Sequence, residues 1–170
     1  MTEQPEIVRA SPEWIPSYWS ALDRVAREGR YLLFTSAPEL SQSKAFVHNI
    51  IQNNDTQFYA VSGGEVIGWC DIIRKNIESV AHVGHLGIGI IPEHRGHGVG
   101  TLLLRRAMDD AFAKGIERIE LGVFASNERA IALYRKNGFV IEGRKARVWR
   151  HQNRTEDMLI MARFPTSAKP

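Results

Sequence analysis

Three glycines at alternate positions are the most informative residues of this sequence. Residues 91–101 read IPEHRGHGVGT and lie between a predicted strand and a predicted helix. The first N–H groups of a helix have no backbone partners and carry partial positive charge, and glycines let an anion approach them closely. A strand, a glycine loop and a helix in this order predict a pyrophosphate site. A tight turn without a ligand is the alternative.

Two common phosphate-binding loops do not match these residues. A Walker loop ends in Gly-Lys-Ser/Thr, whereas Gly100 is followed by Thr101 and Leu102. A dinucleotide fingerprint requires a glycine three residues after Gly98, and that position is Thr101. The loop is therefore expected to hold a pyrophosphate of another kind.

A second informative segment, NERAIALYRKNGF, lies at residues 127–139. Together, the Arg95-x-x-Gly98-x-Gly100 loop and this segment resemble the two recurring motifs of the GCN5-related N-acetyltransferases (GNAT). The second of those motifs is Asn-x-x-Ala-x-x-Leu-Tyr-x-Lys-x-Gly-Phe. The resemblance covers residues 81–163, about half of the chain. The overall pattern is similar to that of small bacterial acetyltransferases of the amino-acid and phosphinothricin type.

The resemblance implies an enzyme that uses acetyl-CoA as its acetyl donor. It implies transfer of the acetyl group to the primary amine of a small metabolite, an amino acid or an analogue, by direct attack in a ternary complex. Backbone groups at the end of the long strand then bind the pantetheine arm and the thioester oxygen, and the glycine loop binds the pyrophosphate. The implied cofactor-binding residues are Ile88, Gly89, Ile90, Arg95, Gly96, His97, Gly98, Val99, Gly100, Thr101, Asn127 and Lys136.

Tyr134 is the residue expected to act as the catalytic acid. In the family that the sequence resembles, a phenol at this position lies beside the thioester sulfur. A free phenol has a pKa of about 10 and a simple thiol one of about 8.5, so the phenol can stabilise the developing thiolate by a hydrogen bond and deliver its proton late. The alternative is a core tyrosine that packs with Leu133 and Phe139.

Other members of the predicted site have structural interpretations as well. Asn127 could cap the helix that follows it, Lys136 could lie in solvent, and the Arg95 side chain could face either a phosphate or water. Gly87 and Gly89 could mark a bulge in their strand rather than a ligand contact. These alternatives stay open at the level of sequence.

The sequence does not identify the base that deprotonates the acceptor. A base is needed because an amine with a pKa of about 10 is protonated at neutral pH. The candidates by location are Asp71, Glu78, His82, His85 and Glu142. No metal is expected, because residues three apart on a strand, such as His82 and His85, point to opposite faces. The pair His94 and His97 flanks the glycine loop and is expected to face solvent.

A basic segment, RKARVWRHQNR, lies at residues 144–154. It is expected to form two strands that meet at a turn. Its charges could protect a solvated sheet edge from pairing with other strands. Alternatively, they could recognise a carboxylate or phosphonate of the acceptor, or form a dimer contact.

The elements that position these residues alternate along the chain. Hydrophobic periodicity predicts strands at 6–10, 58–62, 66–73, 80–91, 116–124, 139–148 and 155–164, and helices at 12–28, 39–51, 101–114 and 127–137. The expected fold class is α/β. The resemblance specifies a GNAT-type mixed, splayed central sheet of about seven strands flanked by about four helices.

Length and composition restrict the remaining possibilities. The chain has 170 residues, of which 44% are hydrophobic and 24% charged, and this predicts a single domain over residues 1–170. No apolar run is long enough to span a membrane, and the amino end does not resemble a secretory signal. Cys70 is the only cysteine, so neither an internal disulfide nor a covalent acetyl-enzyme is expected. A reducing, bacterial-type cytoplasm is the expected location.

The net charge of +3 weakly favours an anionic ligand and is too small to indicate nucleic acid binding. The expected partners are a small-molecule amine and a second copy of the chain in a homodimer, without nucleic acid and without a membrane. Two other functions remain open. One is acetylation of a protein amino terminus or lysine, and the other is an acyl-CoA-binding sensor domain without turnover.

Overall fold

The strands form one mixed, seven-stranded sheet in a computed structural model that describes residues 4–166. The strand order is β1-β2-β3-β4-β5-β7-β6. Only β4 and β5 run parallel, and every other neighbouring pair is antiparallel. The bounds are Glu6–Arg9 (β1), Thr56–Ser62 (β2), Glu65–Arg74 (β3), Val83–Ile90 (β4), Arg118–Phe124 (β5), Val140–His151 (β6) and Arg154–Arg163 (β7). The predicted α/β class with a mixed sheet is confirmed.

Within residues 4–166, four α-helices flank this sheet. Their bounds are Ile15–Arg27 (α1), Leu40–Gln52 (α2), Val99–Ala113 (α3) and Glu128–Lys136 (α4). The helices α1 and α3 both pack on β3 and β4. The apolar residues of each helix recur three and four positions apart, so one stripe is buried against the sheet and the other stripe faces solvent.

The two faces of the sheet can be told apart along β3. Trp69 points to the α1 side, where its ring packs edge-on against Tyr18 at a centroid distance of 5.8 Å. Gly68, the preceding residue, faces Leu103 of α3 on the opposite side. Because side chains alternate along a strand, odd-numbered residues of β3 belong to the α1 face and even-numbered ones to the α3 face.

Five elements begin two or three residues away from their predicted first residues: α1, β4 and β5 begin later, whereas β2 and α3 begin earlier. Pro12–Trp14 forms a 3₁₀ turn, and α1 begins only at Ile15. The Ser11 hydroxyl donates to the Glu13 carboxylate at 3.1 Å instead of capping the helix. A second 3₁₀ turn occupies 78–80, so β4 begins at Val83, and β5 begins two residues later than predicted. Short-range hydrogen bonds of this kind leave no signal in hydrophobic periodicity.

None of the helices within residues 4–166 is long and apolar enough to cross a membrane.

Candidate active site

The parallel strands β4 and β5 separate soon after they begin to pair. Val83, Gly84 and His85 pair with 118–120, and no later residue of β4 pairs with β5. Beyond this point, β5 pairs only with β7. The predicted splay of the sheet is therefore present, and it leaves a gap beside the carboxyl half of β4.

The backbone of β4 lines this gap with unpaired groups. The Ile91 N–H donates to the Ile67 carbonyl at 3.0 Å. In an antiparallel ladder, this contact assigns the odd-numbered residues of β4 to hydrogen bonds with β3. Ile88 consequently presents its N–H and C=O to the gap, together with the N–H of Ile90, and an extended ligand could pair with these groups as a strand would.

Gly87 and Gly89 do not mark a bulge, because the register between β3 and β4 is continuous from residue 84 to residue 90. A Cβ at Gly89 would lie 2.2 Å from the Trp69 ring, and a Cβ at Gly87 would lie 3.0 Å from Asp71 Oδ1. Both glycines therefore make room for side chains of β3 on the α1 face. Sequence reasoning missed this purpose because it depends on a register that the sequence does not reveal.

The glycine loop ends in a row of unpaired backbone donors. Gly96 and Gly98 have φ angles of +82° and +84°, with nothing within 4 Å of an added Cβ. After Arg95, whose N–H donates to the Pro92 carbonyl at 3.3 Å, the next N–H with a backbone acceptor is that of Thr101, which donates to the Gly98 carbonyl at 3.0 Å. Among the described residues, no acceptor takes a hydrogen bond from the N–H groups of residues 96–100. This is the arrangement that binds an anion at a helix N-terminus.

The Arg95 side chain makes hydrogen bonds within the protein that support the loop, and 19% of it is exposed. Its Nε donates to the Ile90 carbonyl at 2.8 Å, and its Nη1 donates to Glu28 Oε2 at 2.8 Å. The guanidinium also lies over the Tyr31 ring, 4.9 Å from the centroid. The hydrogen-bonded Glu28 raises the pKa of Arg95 further. The Arg95 backbone N–H is engaged as well, since it donates to the Pro92 carbonyl at 3.3 Å, and the Ile90 carbonyl is already occupied.

Glu28 is a residue that sequence reasoning missed. It follows the last residue of α1 and pairs with Arg95 across 67 positions of sequence. No local pattern reveals a partner at that separation. The contact joins α1, the end of β4 and the glycine loop through one side-chain pair.

Tyr134 is buried in the last turns of α4, where it is 5% exposed. Its ring packs against Phe139 with centroids 5.7 Å apart. Burial raises the pKa of the Tyr134 hydroxyl above its ordinary value, and the nearby Cys70 thiol contributes to the rise. Cys70 pairs with Ile88 of β4, so Tyr134 lies on the α3 face of the sheet close to the gap. The packing with Phe139 and a role at the gap are compatible.

Asn127 and Lys136 lie at the two ends of α4. The Asn127 Oδ1 accepts from the Ala130 N–H at 3.2 Å and so caps the helix. Its amide N–H₂ keeps its donors for another partner. Lys136 is exposed and lines a basic cavity of about 450 Å³ with Arg105 and Arg163.

The candidate bases occupy different environments. Glu78 and His82 are exposed outside β4. Glu142 accepts from Arg118 Nη1 at 2.9 Å, and this hydrogen bond holds the pKa of its carboxyl below the usual range. His85 is the last residue of β4 that pairs with β5; its side chain is exposed, and desolvation by the surrounding protein lowers its pKa. Only Asp71 is buried beside the open half of β4.

The basic segment forms the β6–β7 hairpin, as predicted. β6 is the edge strand of the sheet, and Arg144 donates to Asp157 of β7 at 2.6 and 2.8 Å. The Trp149 indole donates to the Leu33 carbonyl at 2.9 Å and so fixes the loop after α1 to the hairpin. Residues of the hairpin turn and of the end of α1 enclose a cavity of about 230 Å³, lined by Arg27, Glu28, Gly29, Arg30, His151, Gln152 and Arg154.

No three His, Cys, Asp or Glu side chains come together as metal ligands in the part of the chain that the structure describes. His82 lies in a turn before β4 rather than on the strand, so the expected opposition of His82 and His85 across a strand does not occur.

The chain is similar to known acetyltransferases over most of this architecture. Residues 19–139 match the family model described as acetyltransferase (GNAT) family. The L-amino acid N-acetyltransferase of Escherichia coli is 35% identical over 89 residues, which are 51% of this chain and 54% of that protein. The chain thus spans about half of the length of this relative.

Two solved structures share the fold along nearly the whole chain. A GNAT-family acetyltransferase from Streptococcus pneumoniae superposes with a TM-score of 0.86 at 29% identity, covering 94% of this chain and 98% of that one. A phosphinothricin acetyltransferase from Sinorhizobium meliloti, solved with acetyl-CoA, has a TM-score of 0.89 at 21% identity, with 95% and 89% covered. With the family model matched from the middle of α1 to the end of α4, the chain belongs to the acetyltransferase (GNAT) family.

Proposed function

We propose that the protein is an acetyl-CoA-dependent N-acetyltransferase that acetylates the primary amine of a small metabolite. The observation that carries this proposal is the row of unpaired N–H groups at residues 96–100, next to the unpaired edge of β4. The first can hold a pyrophosphate and the second an extended pantetheine arm. Coenzyme A contains both groups in one molecule.

In this proposal, β4 also activates the thioester. An N–H of Ile88 or Ile90 donates to the carbonyl oxygen and stabilises the negative charge that develops as the amine adds. Donors that are already oriented need no rearrangement during the reaction, and one such donor contributes about 3 kcal/mol in other acyl-transfer enzymes. The continuous pairing of β4 with β3 keeps these donors in position.

Tyr134 is the proposed acid for the departing thiolate. Its raised pKa means that the phenol remains protonated at neutral pH and can donate a hydrogen bond to the sulfur. Complete proton transfer is uphill until the C–S bond is nearly broken, because the thiolate is the weaker base. A late proton transfer is therefore expected.

Direct attack by the amine is favoured over a covalent acetyl-enzyme. Cys70 is the only cysteine of the sequence and is fully buried in β3. Burial raises the pKa of its thiol well above the ordinary value, so a thiolate nucleophile is disfavoured.

The acceptor is proposed to carry an anionic group, as an amino acid does. The cavity between the end of α1 and the hairpin contains Arg27, Arg30 and Arg154 beside the single acidic residue Glu28. Glu28 is paired with Arg95, Arg27 with Asp23 at 2.6 Å and Arg154 with Glu156 at 2.7 Å, so the surplus positive charge of the cavity is that of Arg30. A carboxylate is attracted to this surplus of positive charge, whereas a polyamine is repelled.

A thiol-release assay with acetyl-CoA tests this proposal against a panel of amines. The panel includes amino acids, the same amino acids as amides, a polyamine and a short peptide with a free amino terminus. We expect the highest kcat/KM with an amino acid and a loss of at least tenfold for its amide. Preference for the peptide would favour acetylation of protein termini, and binding of acetyl-CoA without thiol release would favour a sensor domain.

A further inference from the structure

Asp71 occupies an unusual position for a carboxylate. It lies at the centre of β3, between β2 and β4, and is 8% exposed. Its partner on β4 is Gly87, two residues beyond the last residue that pairs with β5. Asp71 therefore lies one strand away from the opening of the gap.

The Asp71 side chain lies over the backbone of β4 at Gly87. Its Oδ1 lies 3.0 Å from the position that a Cβ of residue 87 would take. Glycine at 87 is what allows the carboxylate to reach over the backbone of β4. The Trp69 ring covers Gly89 in the same way.

Within residues 4–166, no hydrogen bond to the Asp71 carboxylate is formed, and its oxygens are not among the fully enclosed polar atoms that lack a partner, so they keep some access to solvent. Its cross-strand neighbour Gln57 accepts from the Tyr59 hydroxyl at 3.1 Å, yet the Gln57 Nε2 is buried without a partner. Buried polar groups are nearly always paired, because an unpaired one loses its hydration without compensation. The Gln57 Nε2 and the Asp71 carboxylate lie opposite each other on neighbouring strands, where a polar ligand atom could meet both.

The surroundings of Asp71 allow it to exchange a proton near neutral pH. Tyr18 of α1 and Tyr59 of β2 face it, with their rings stacked 5.2 Å apart. Burial, followed by the charge of Asp71, raises the pKa of both phenols, so neither titrates in the neutral range. His85 lies on the same face of β4, two residues from Gly87, and desolvation by the surrounding protein lowers its pKa. Burial raises the pKa of the Asp71 carboxyl to about 7.

Asp71 and Tyr134 approach the gap from opposite faces of the sheet. Asp71 is on the α1 face, whereas Cys70, the next residue along β3, points towards Tyr134 on the other face. An amine that approaches from the α1 face would meet the carboxylate. The sulfur that leaves the thioester would meet the phenol on the α3 face.

We propose that Asp71 is the general base that deprotonates the acceptor ammonium group in the gap between β4 and β5. This assignment rests on the proposed function. Asp71 takes one proton from the ammonium and passes it to solvent, and the free amine forms the N–C bond. The C–S bond breaks, and Tyr134 supplies the proton for the sulfur. The second proton of the nitrogen leaves as the amide forms and restores the phenol through solvent.

The test is the pH dependence of kcat/KM for thiol release with the best acceptor of the panel. In the parental protein, kcat/KM is expected to increase with pH in a single step whose midpoint lies near pH 7. Asp71→Asn is expected to lose the step and about 100-fold or more of the rate at pH 7. Its Kd for coenzyme A, measured by calorimetry, is expected to stay within twofold of the parental value.

Asp55→Asn is the matched control. Asp55 is a second carboxyl whose pKa is raised by burial, but it precedes β2 and binds the Arg74 backbone N–H at 3.2 Å, beside the closed end of β4. We expect it to keep both the rate and the step. Gly87→Ala supplies a second variant with an intact carboxylate, because its added methyl group displaces the Asp71 side chain. We expect a lower kcat in this variant as well.

The outcomes separate the two proposals. An active parental protein whose step persists in Asp71→Asn, or disappears only in His85→Asn, overturns the assignment of Asp71 alone. A parental protein that releases no thiol with any amine overturns the proposed function and the base assignment with it.

Discussion

Removal of the Tyr134 hydroxyl oxygen distinguishes the packing role of this residue from its proposed role in proton transfer. Its ring packs against Phe139, and phenylalanine at 134 keeps that packing. We therefore expect Tyr134→Phe to keep its affinity for coenzyme A and to lose roughly 10²–10³-fold in kcat, the usual range for a proton-transfer group. Steady-state thiol release together with calorimetry measures both quantities. A variant that acetylates every accepted amine at the parental rate would remove Tyr134 from the mechanism.

The Asp71 carboxyl also makes stability depend on pH. Its pKa rises from 3.8 in the unfolded chain to about 7 in the folded one. The folded state therefore binds more protons between these values, and stability falls as the pH rises from about 4 to about 7. Asp71→Asn removes this loss and should be more stable than the parental protein above pH 7, by up to about 4 kcal/mol.

Urea denaturation of both proteins at pH 5 and at pH 8 measures this effect. We expect the difference in unfolding free energy to favour the asparagine variant more strongly at pH 8. An equal difference at the two pH values would mean that the Asp71 pKa is not shifted by folding.

Some site residues could be predicted from sequence because their signal is local. The three alternating glycines before α3 and the segment around Tyr134 are contiguous patterns. Asp71 could be named only as one of five candidate bases. Its selection depends on the pairing of Asp71 with Gly87 and on the face to which each residue points. Both are properties of strand register, which a single sequence does not reveal.

At the scale of elements, the glycine loop is the connection on which cofactor binding depends. Gly98 has a φ of +84°, and alanine at this conformation costs about 1–2 kcal/mol. We expect Gly98→Ala to shift the loop, misalign its N–H donors and weaken the Kd for coenzyme A at least tenfold, since hydrogen bonds to charged groups contribute about 1.5–3 kcal/mol each.

Gly64→Ala is the matched control for this prediction. Gly64 has a φ of +77° in the turn between β2 and β3, again with nothing within 4 Å of an added Cβ. It should lose a similar amount of stability and keep the parental Kd. Equal affinities of the two variants in calorimetry would contradict a role of the loop backbone in binding.

The contact between Arg95 and Glu28 joins two elements that are far apart in sequence. Both side chains are mostly buried, 19% and 22% exposed. We expect a coupling free energy of about 1–3 kcal/mol in a double-mutant cycle of Arg95→Gln and Glu28→Gln, because each partner is left unpaired by loss of the other. Urea denaturation of the four proteins measures it.

The pair Arg24–Glu93 provides the comparison. It connects the same helix to the same loop at 2.7 Å, but its side chains are 45% and 60% exposed. Its coupling should be below about 1 kcal/mol because solvent screens exposed charges. If the effects of Arg95→Gln and Glu28→Gln on the free energy of unfolding are additive, this pair does not stabilise the loop.

The order and type of the elements followed from periodicity, whereas their functional relation did not. Apolar periodicity indicated all seven strands and all four helices. The point at which β4 and β5 part is a property of two strands separated by α3, and no residue marks it in the sequence. The 3₁₀ turns before α1 and β4 likewise depend on local hydrogen bonds.

At the scale of the whole molecule, the two faces of the sheet lead separately to the gap between β4 and β5. The helices α3 and α4 form the face with the glycine loop and Tyr134, whereas α1 forms the face with Asp71. In this account, the cofactor binds along β4 and the acceptor approaches from the α1 face. Such a division lets both substrates be present together, as direct attack requires.

Binding of the cofactor should stabilise the whole fold, because its proposed contacts join β4, the loop and α3. At a coenzyme A concentration of 100 times its Kd, the expected gain is about 2.7 kcal/mol, or a rise in Tm of roughly 5–10 °C. Differential scanning calorimetry measures this rise, with pantetheine as the control that lacks the pyrophosphate. An equal shift with pantetheine would remove the pyrophosphate from the account.

The most direct test is a crystal structure of the protein with coenzyme A bound. We predict that oxygens of the pyrophosphate lie about 2.9 Å from backbone nitrogens within residues 96–100, with the pantetheine arm beside β4. A pyrophosphate held elsewhere, with those N–H groups still unpaired, would contradict the central claim.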